Sequence, residues 1–474
     1  MGTRSRNLAV QALLFAALLI GGTGSPAAFA ADRDSKSDET VEAGNGSKPR
    51  DLEEERELIR LFADTFEQIR SNYVDENVTD RDLIEAAIRG MVTELDQYSN
   101  FIPPEQIDVF RRGVEREYGG IGIQVAKQDG KLEIISPIFG SPAYEAGLRA
   151  GDQVLEINGT SVDGLSIDEA VSLMKGKIGT EVAVKVLHPT DTSTETVMLK
   201  RAIVQLPTVL GYRRNEDDRW DYFCDPDRKI AYIHLTAFSR GSASRLADVV
   251  KQLKAGGMKG LVLDLRFNPG GLLSEAIRVS DLFVQDGDIV STEGRTTPKQ
   301  TWRARAKGTL LEEGFPIAVL VNRFSASASE IVSACLQDHN VAAVVGERTW
   351  GKGSVQNVIE MEGGKSALKL TTAGYQRPSG KNIHRKEGAK DEDEWGVTPN
   401  DGYELRFSPA EIAELDDHFR QQNILGIDKD ELAPEAATYV DRQLAKALEY
   451  IGEHTPQEAQ PAEAEKKEAV TADG

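Results

Sequence analysis

Between residues 316 and 360 the sequence permits few folds. Pro316–Val321 (PIAVLV) is an unbroken apolar run, the pattern of a buried strand. Three serines alternating with alanines follow, at Ser325, Ser327 and Ser329. Ile331, Val332, Cys335 and Leu336 then recur on one face of a helix that ends near Asp338. Val341–Val345 is a second apolar strand, leading to a lysine between two glycines, Gly351-Lys352-Gly353. Ser354–Glu360 alternates as a strand does. Strand, helix and strand in succession point to an α/β layer. A serine that opens the helix and a lysine that returns on the next unit can meet in such a layer. Serine with lysine is a nucleophile-and-base pairing.

The chemistry sets requirements that this stretch meets. A serine hydroxyl attacks poorly unless a base takes its proton. A lysine, with a pKa of about 10.4 in water, is charged and cannot serve as that base. Desolvation disfavours the ammonium and brings the amine toward neutrality. Trp350, two glycines that let backbone close in, and Val355, Val358 and Ile359 supply such surroundings for Lys352. A serine at a helix N-terminus also lies beside free backbone N–H groups, ready to hold an oxyanion.

Three other readings compete. Ser327 to Glu330 fits the capping box, which would make Ser327 a helix cap, and the residues alone do not choose among Ser325, Ser327 and Ser329. Gly346 to Gly353 is one residue short of a P-loop, but Gly353 stands where a magnesium-binding hydroxyl belongs, and a strand pattern follows instead of a helix. A serine–histidine–aspartate triad is disfavoured. The six histidines, at 188, 234, 339, 384, 418 and 454, read as surface or loop residues, and no G-x-S-x-G elbow occurs. His339 would lie roughly 18 Å from Ser327 along the helix. No histidine pair has H-E-x-x-H spacing, and no metal or cofactor site is expected.

The ordered set SASASEI (325–331), CLQD (335–338) and GKGSVQ (351–356) resembles the signature of the carboxy-terminal processing peptidases, or tail-specific proteases. Matched position by position, the resemblance implies Ser327 as nucleophile, Lys352 as general base and Gln356 as the amide that orients the lysine. It implies oxyanion donors at the backbone N–H groups of Ala328 and of Gly271, the last glycine of Asn268-Pro269-Gly270-Gly271, and a supporting acidic residue at Asp338. The implied fold is a mixed α/β core of the ClpP/crotonase type with an inserted β-rich PDZ domain and helical regions at both ends. The sequence departs from the family at Gly396-Val397-Thr398-Pro399-Asn400, where Gly-Ile-x-Pro-Asp is usual. It departs again at Leu95–Ser99, where a Pro-His pair is more usual. Neither change falls on the nucleophile, base or oxyanion positions, so both bear on loop packing.

The remaining chain divides around this core. Residues 1–30 have the plan of a secretory signal: Arg4 and Arg6, an apolar Leu8–Ile20, and Ala28-Phe29-Ala30 for cleavage. Residues 31–50 are a polar linker expected to be disordered. Residues 51–105 hold two helices, Leu52–Tyr73 and Asp80–Leu95, with Asp80 as N-cap; they serve either dimer contacts, as in some relatives, or packing onto the chain's own core. Residues 108–202 resemble a PDZ domain. Gly120-Ile121-Gly122-Ile123 is followed by alternating Val125, Leu132 and Ile134, then Ser141-Pro142-Ala143, Gly151-Asp152 and the hairpin turn Asn158-Gly159. The glycines allow backbone N–H groups to face a peptide's terminal carboxylate while the peptide adds as an edge strand. Residues 203–405 form the core, 406–453 a helical region, and 454–474 a tail expected to be disordered. A net charge of −21 argues against nucleic acid and anionic membrane surfaces as partners. Two cysteines, Cys224 and Cys335, do not make a disulfide framework, and Cys335 on the apolar helix face reads as a buried free thiol.

These observations lead to a serine endopeptidase, periplasmic or otherwise exported and soluble or peripherally membrane-associated, that captures protein C-termini through the PDZ domain and cuts by a Ser-Lys(-Gln) acyl-enzyme route. A homo-oligomer through the terminal helices and an adaptor protein are open partner classes. A non-catalytic PDZ scaffold or chaperone is the alternative, and the intact Ser327, Lys352 and Gln356 argue against it.

Overall fold

A computed structural model describes residues 51–115, 117–128, 130–188, 193–425 and 439–455. The signal segment, the linker and the tail from 456 lie outside the described residues.

Four parallel strands form the centre: Ile230–Leu235, Gly260–Asp264, Ile317–Val321 and Ala343–Gly346, paired in that order. Val209–Leu210 and Phe223–Asp225 add antiparallel pairs to the first of them. Side chains of a strand alternate between faces, so the apolar runs seal two layers at once. Ala231, Ile233, Leu261, Leu263, Val319 and Val344 pack against the helices Ser242–Ala255, Leu273–Asp281 and Ala328–Asp338. Tyr232, Val262, Ala318, Leu320 and Val345 face the other way, against Leu444, Ala447 and Ile451 of the helix Arg442–His454. That helix comes so close that a Cβ on Gly260 would lie 2.4 Å from Ile451.

A second, antiparallel sheet carries the lysine loop. Ser354–Met361 pairs with the long strand Ser366–Gln376, which also pairs with Asn100–Ile102 and with Asp288–Glu293. Asp288–Glu293 forms a hairpin with Gln300–Arg303. A separate β module runs Ile123–Gln128, Lys131–Pro137, Gln153–Ile157, Glu181–Leu187 and Thr194–Lys200, with the helix Ile167–Met174 and its own core. Asn158 and Gly159 both have positive φ, 51° and 78°, as an Asn-Gly hairpin turn requires.

Several expectations need correction. The last parallel strand starts two residues late because Val341 and Ala342 both donate to the Leu336 carbonyl, closing the preceding helix. Thr79, not Asp80, caps the second N-terminal helix, with Asp82 completing its capping box. The helix Leu52–Asn72 buries none of its residues among the described residues. His234 is a buried strand residue whose Nε2 meets the Arg266 carbonyl at 3.2 Å. The strand Asn100–Ile102 and the helix Pro104–Glu115 were not foreseen. Both cysteines are free thiols; burial pushes each up to about 12.

The C-terminal helix is tied down by a fully buried guanidinium. Arg266 donates to Asp264 at 2.6–3.0 Å, to Asp441 at 2.7 and 3.0 Å and to Gln443 at 3.1 Å. Burial alone would raise the Asp264 carboxyl, and the adjacent Arg266 overcomes this and holds it below its usual value. Removing one member of a buried charge network strands the others. Arg266→Met is expected to lower stability by roughly 3–5 kcal/mol, read as a fall in the urea midpoint; an unchanged midpoint would show that Asp264 and Asp441 do not depend on it.

Candidate active site

Of the three alternating serines, the structure separates one. The Ser325 Oγ donates to the Leu265 carbonyl at 2.8 Å and accepts from the Asn322 N–H at 2.9 Å. The Ser329 Oγ donates to the Asn268 carbonyl at 2.9 Å. The Ser327 Oγ is buried and has no hydrogen-bond partner among the described residues. Its backbone is also exceptional, with φ 61° and ψ −113° at the start of the helix Ala328–Asp338. A non-glycine residue held there stores on the order of 1–3 kcal/mol of strain, which surrounding contacts must hold.

Glu330 supplies that hold. Its carboxylate, fully buried, accepts from the Ser327 N–H at 2.7 Å and from the Lys352 N–H at 2.8 Å, both on Oε2. Oε1 accepts from the Gly351 N–H at 2.7 Å and the Thr349 hydroxyl at 2.6 Å. One oxygen thus brings the backbones of Ser327 and Lys352 together. The Glu330 carboxylate does the part of the capping box expected of it; the Ser327 hydroxyl is left out of it. Burial raises the Glu330 carboxyl, and its four donors oppose that.

Lys352 is 3% exposed. Its amine is pushed down to about 7, first by burial, then by the charge of Lys369, with Glu330 and Asp96 opposing. Its Nζ lies 4.9 Å from the ring centre of Tyr98. The Tyr375 hydroxyl donates to the Lys352 carbonyl. Burial pushes that phenol well above its usual value, and Glu330's charge adds to this. Gly351 has φ 90°, and a Cβ on Gly353 would lie 2.5 Å from the His384 nitrogen, so only glycines allow this approach. The stretch continues as a strand, not a helix, which removes the P-loop reading.

Gln356 is fully buried. Its Nε2 donates to the Ser354 and Thr371 hydroxyls at 2.9 and 3.2 Å, while its Oε1 has no partner among the described residues. The Asn268–Gly271 turn lies against Ser327: a Cβ on Gly270 would meet the Ser327 Cβ at 2.8 Å and the Ala328 nitrogen at 2.9 Å. The N–H groups of Gly271 and Ala328 donate to no protein acceptor among the described residues. Asp338 sits at the far end of the helix and binds Arg377 at 2.6 and 2.9 Å and the Ser379 N–H at 3.0 Å. It therefore fixes the end of the strand that carries Tyr375. The Gly120–Ile123 loop lies on the separate β module; Gly122 has φ 81°, and a Cβ there would strike Ser141 at 2.2 Å.

A family model described as "Peptidase family S41" matches residues 229–400, one for a PDZ domain matches 133–187, and one for the "Activating protease CtpB N-terminal domain" matches 18–105. A "Carboxy-terminal-processing protease" of Bartonella bacilliformis is 39% identical over 332 residues, covering 69% of this chain and 73% of that protein. The chain belongs to peptidase family S41. The "Carboxy-terminal processing protease CtpA" of Bacillus subtilis is 37% identical over 323 residues, 68% of this chain and 66% of that protein. A solved structure titled "Photosystem II D1 C-terminal processing protease" is 27% identical, with a TM-score of 0.42 over 73% of this chain and 92% of that one.

In this S41 chain the sequence reading missed the second task of Glu330, the wall formed by Tyr98, and Lys369. The capping-box pattern was a signal for Glu330; nothing in local sequence announced the other two. Glu330→Gln is expected to lower stability by roughly 2–4 kcal/mol, because an amide group cannot accept from all four donors. Hydrogen exchange at the Ser327, Gly351 and Lys352 amides should accelerate with it. Unchanged exchange at all three would show that the carboxylate is not their anchor.

Proposed function

We propose that the chain is an exported serine endopeptidase that holds the C-terminus of a protein substrate on its PDZ domain and cuts the substrate through an acyl-enzyme. Ser327 attacks the scissile carbonyl and Lys352 takes the hydroxyl proton, later returning it to the leaving amine. The N–H groups of Gly271 and Ala328 hold the oxyanion. Gln356 presents its unpartnered Oε1 to the lysine and keeps it aimed. Water then hydrolyses the ester, and Lys352 serves again as base. Asp338 contributes from a distance through Arg377 and the strand that carries Tyr375.

The observation that carries this reading is the shared Glu330 Oε2, which holds the backbone of Ser327, whose buried hydroxyl has no hydrogen-bond partner among the described residues, beside that of Lys352, whose amine burial pushes down to about 7. An amine can act as base only when uncharged, so kcat/KM should rise as pH rises through about 7. The signal pattern of residues 1–30 supports export, and among the described residues no helix is long and apolar enough to cross a membrane. The uncovered apolar side chains Leu58, Leu61, Phe62 and Ile69 support a second copy as partner.

Casein, as an unfolded substrate, tests the chemistry. Ser327→Ala and Lys352→Arg should each abolish cleavage, the second because a guanidinium stays protonated; Ser325→Ala and Ser329→Ala should retain some. Equal cutting by Ser327→Ala and the parent protein, or turnover by Lys352→Arg, would overturn the assignment. Recruitment is tested separately: amidating a peptide substrate's C-terminal carboxylate should raise KM several-fold and leave kcat in place. Unchanged kinetics would remove the PDZ domain from substrate capture.

A further inference from the structure

Lys369 is 5% exposed, and among the described residues no side-chain hydrogen bond or ion pair is made by its ammonium. A lysine side chain set this deep in a sheet carries a desolvation cost. Its place in the sheet shows what it serves. Lys369 pairs with Val358 on one side and with Asn100 on the other. It shares a face of its strand with Thr371, about 7 Å further along. Thr371 is the cross-strand partner of Gln356 and accepts from the Gln356 amide at 3.2 Å. The Thr371 N–H donates to the Ser99 hydroxyl at 3.0 Å. Ser99 and Tyr98 both donate backbone N–H groups to Asp96, at 2.8 and 2.7 Å. Tyr98 in turn covers the Lys352 amine. Two buried lysines therefore border one polar cluster, and Asp96 is the carboxylate that both of them sense.

We propose that Lys369 is a positioning residue for charge: its ammonium, set on the sheet beside Gln356, favours the uncharged amine on Lys352 that proton transfer requires. This rests on Lys352 being the base. Burial lowers the pKa of Lys369 itself, with the charge of Asp96 opposing, and the side chain touches neither substrate nor reacting atoms. Like charges at close range disfavour each other's ionised state. Lys352 is also faced by Glu330 from the nucleophile helix, by Asp96 and Tyr98 from the segment before Asn100, and by Tyr375 from the Lys369 strand. His384, from the segment packed on Gly353, has its pKa lowered by burial, with Asp96 opposing. The two carboxylates pull toward the ammonium, and Lys369 pushes back.

The test is the pH profile of kcat/KM for casein, measured on the full chain from about pH 6 to about pH 10. Lys369→Met removes the like charge, so the acid limb should move upward by about one pH unit. The variant would lose about fivefold at pH 7 and recover the parent rate on the alkaline plateau, a pattern that a packing defect does not give. Lys369→Arg keeps the charge and should keep the limb, and Asp96→Asn should move it downward. Lys369→Gln is the second neutral variant if the first does not fold. A limb that stays in place in the neutral variants, or an equal loss at every pH, overturns the proposal alone. A parent protein with no limb near pH 7 overturns the base assignment and this inference together.

Discussion

One carboxylate oxygen, Glu330 Oε2, accepts the backbone N–H groups of both Ser327 and Lys352. Everything else at the site is arranged around that shared contact. It fixes a serine in a strained backbone conformation at the start of a helix. It also draws in a glycine-flanked loop from the neighbouring sheet, so that residues 25 positions apart in sequence become neighbours. The carboxylate itself is buried and would be unstable there without donors, and the loop amides would be unstable without an acceptor. The interaction is mutual, which is why the loop and the helix start hold each other in one geometry.

The site opposes the stability of the fold in two places. Lys352 is an amine whose charged form is disfavoured where it sits, a penalty on the order of 5 kcal/mol for keeping it protonated. The folded pKa lies below the unfolded one, so between about 7 and 10.5 the unfolded chain binds more protons, and this group's contribution to stability grows with pH across that window. Lys369 adds a second buried cation on the adjoining strand. The compensation comes from the apolar layers on both faces of the parallel sheet and from the Arg266 network that locks the C-terminal helix against it.

Much of this was legible in the sequence because it is local and periodic. The unbroken runs at 260–265 and 316–321 are buried strands because both of their faces are covered. The period of Ile331, Val332, Cys335 and Leu336 is that of the helix they line. Position-by-position matching placed Ser327 and Lys352 together with the Gly270-Gly271 turn, and the structure brings those backbones into contact. What was not legible depends on contacts across the chain. The segment 96–102 reads as an undistinguished loop, yet it pairs with 367–369 and lays Tyr98 over the lysine, because the long strand Ser366–Gln376 offers it an edge. The departure from the family pattern at Leu95–Ser99 thus lies against the Lys352 amine rather than in remote packing. Periodicity could not reveal that the helix Leu52–Asn72 lacks a core to cover its apolar side, nor that His234 would be drawn inside beside Arg266.

Proton transfer from Ser327 needs an uncharged Lys352 amine at neutral pH. Its most direct measurement is an NMR titration of the full chain carrying 13C at the lysine Cε, with the Lys352 signal assigned by its loss in Lys352→Met. The account predicts a midpoint near pH 7 for that resonance, well apart from the surface lysines. A midpoint near 10, among the other lysines, would contradict it.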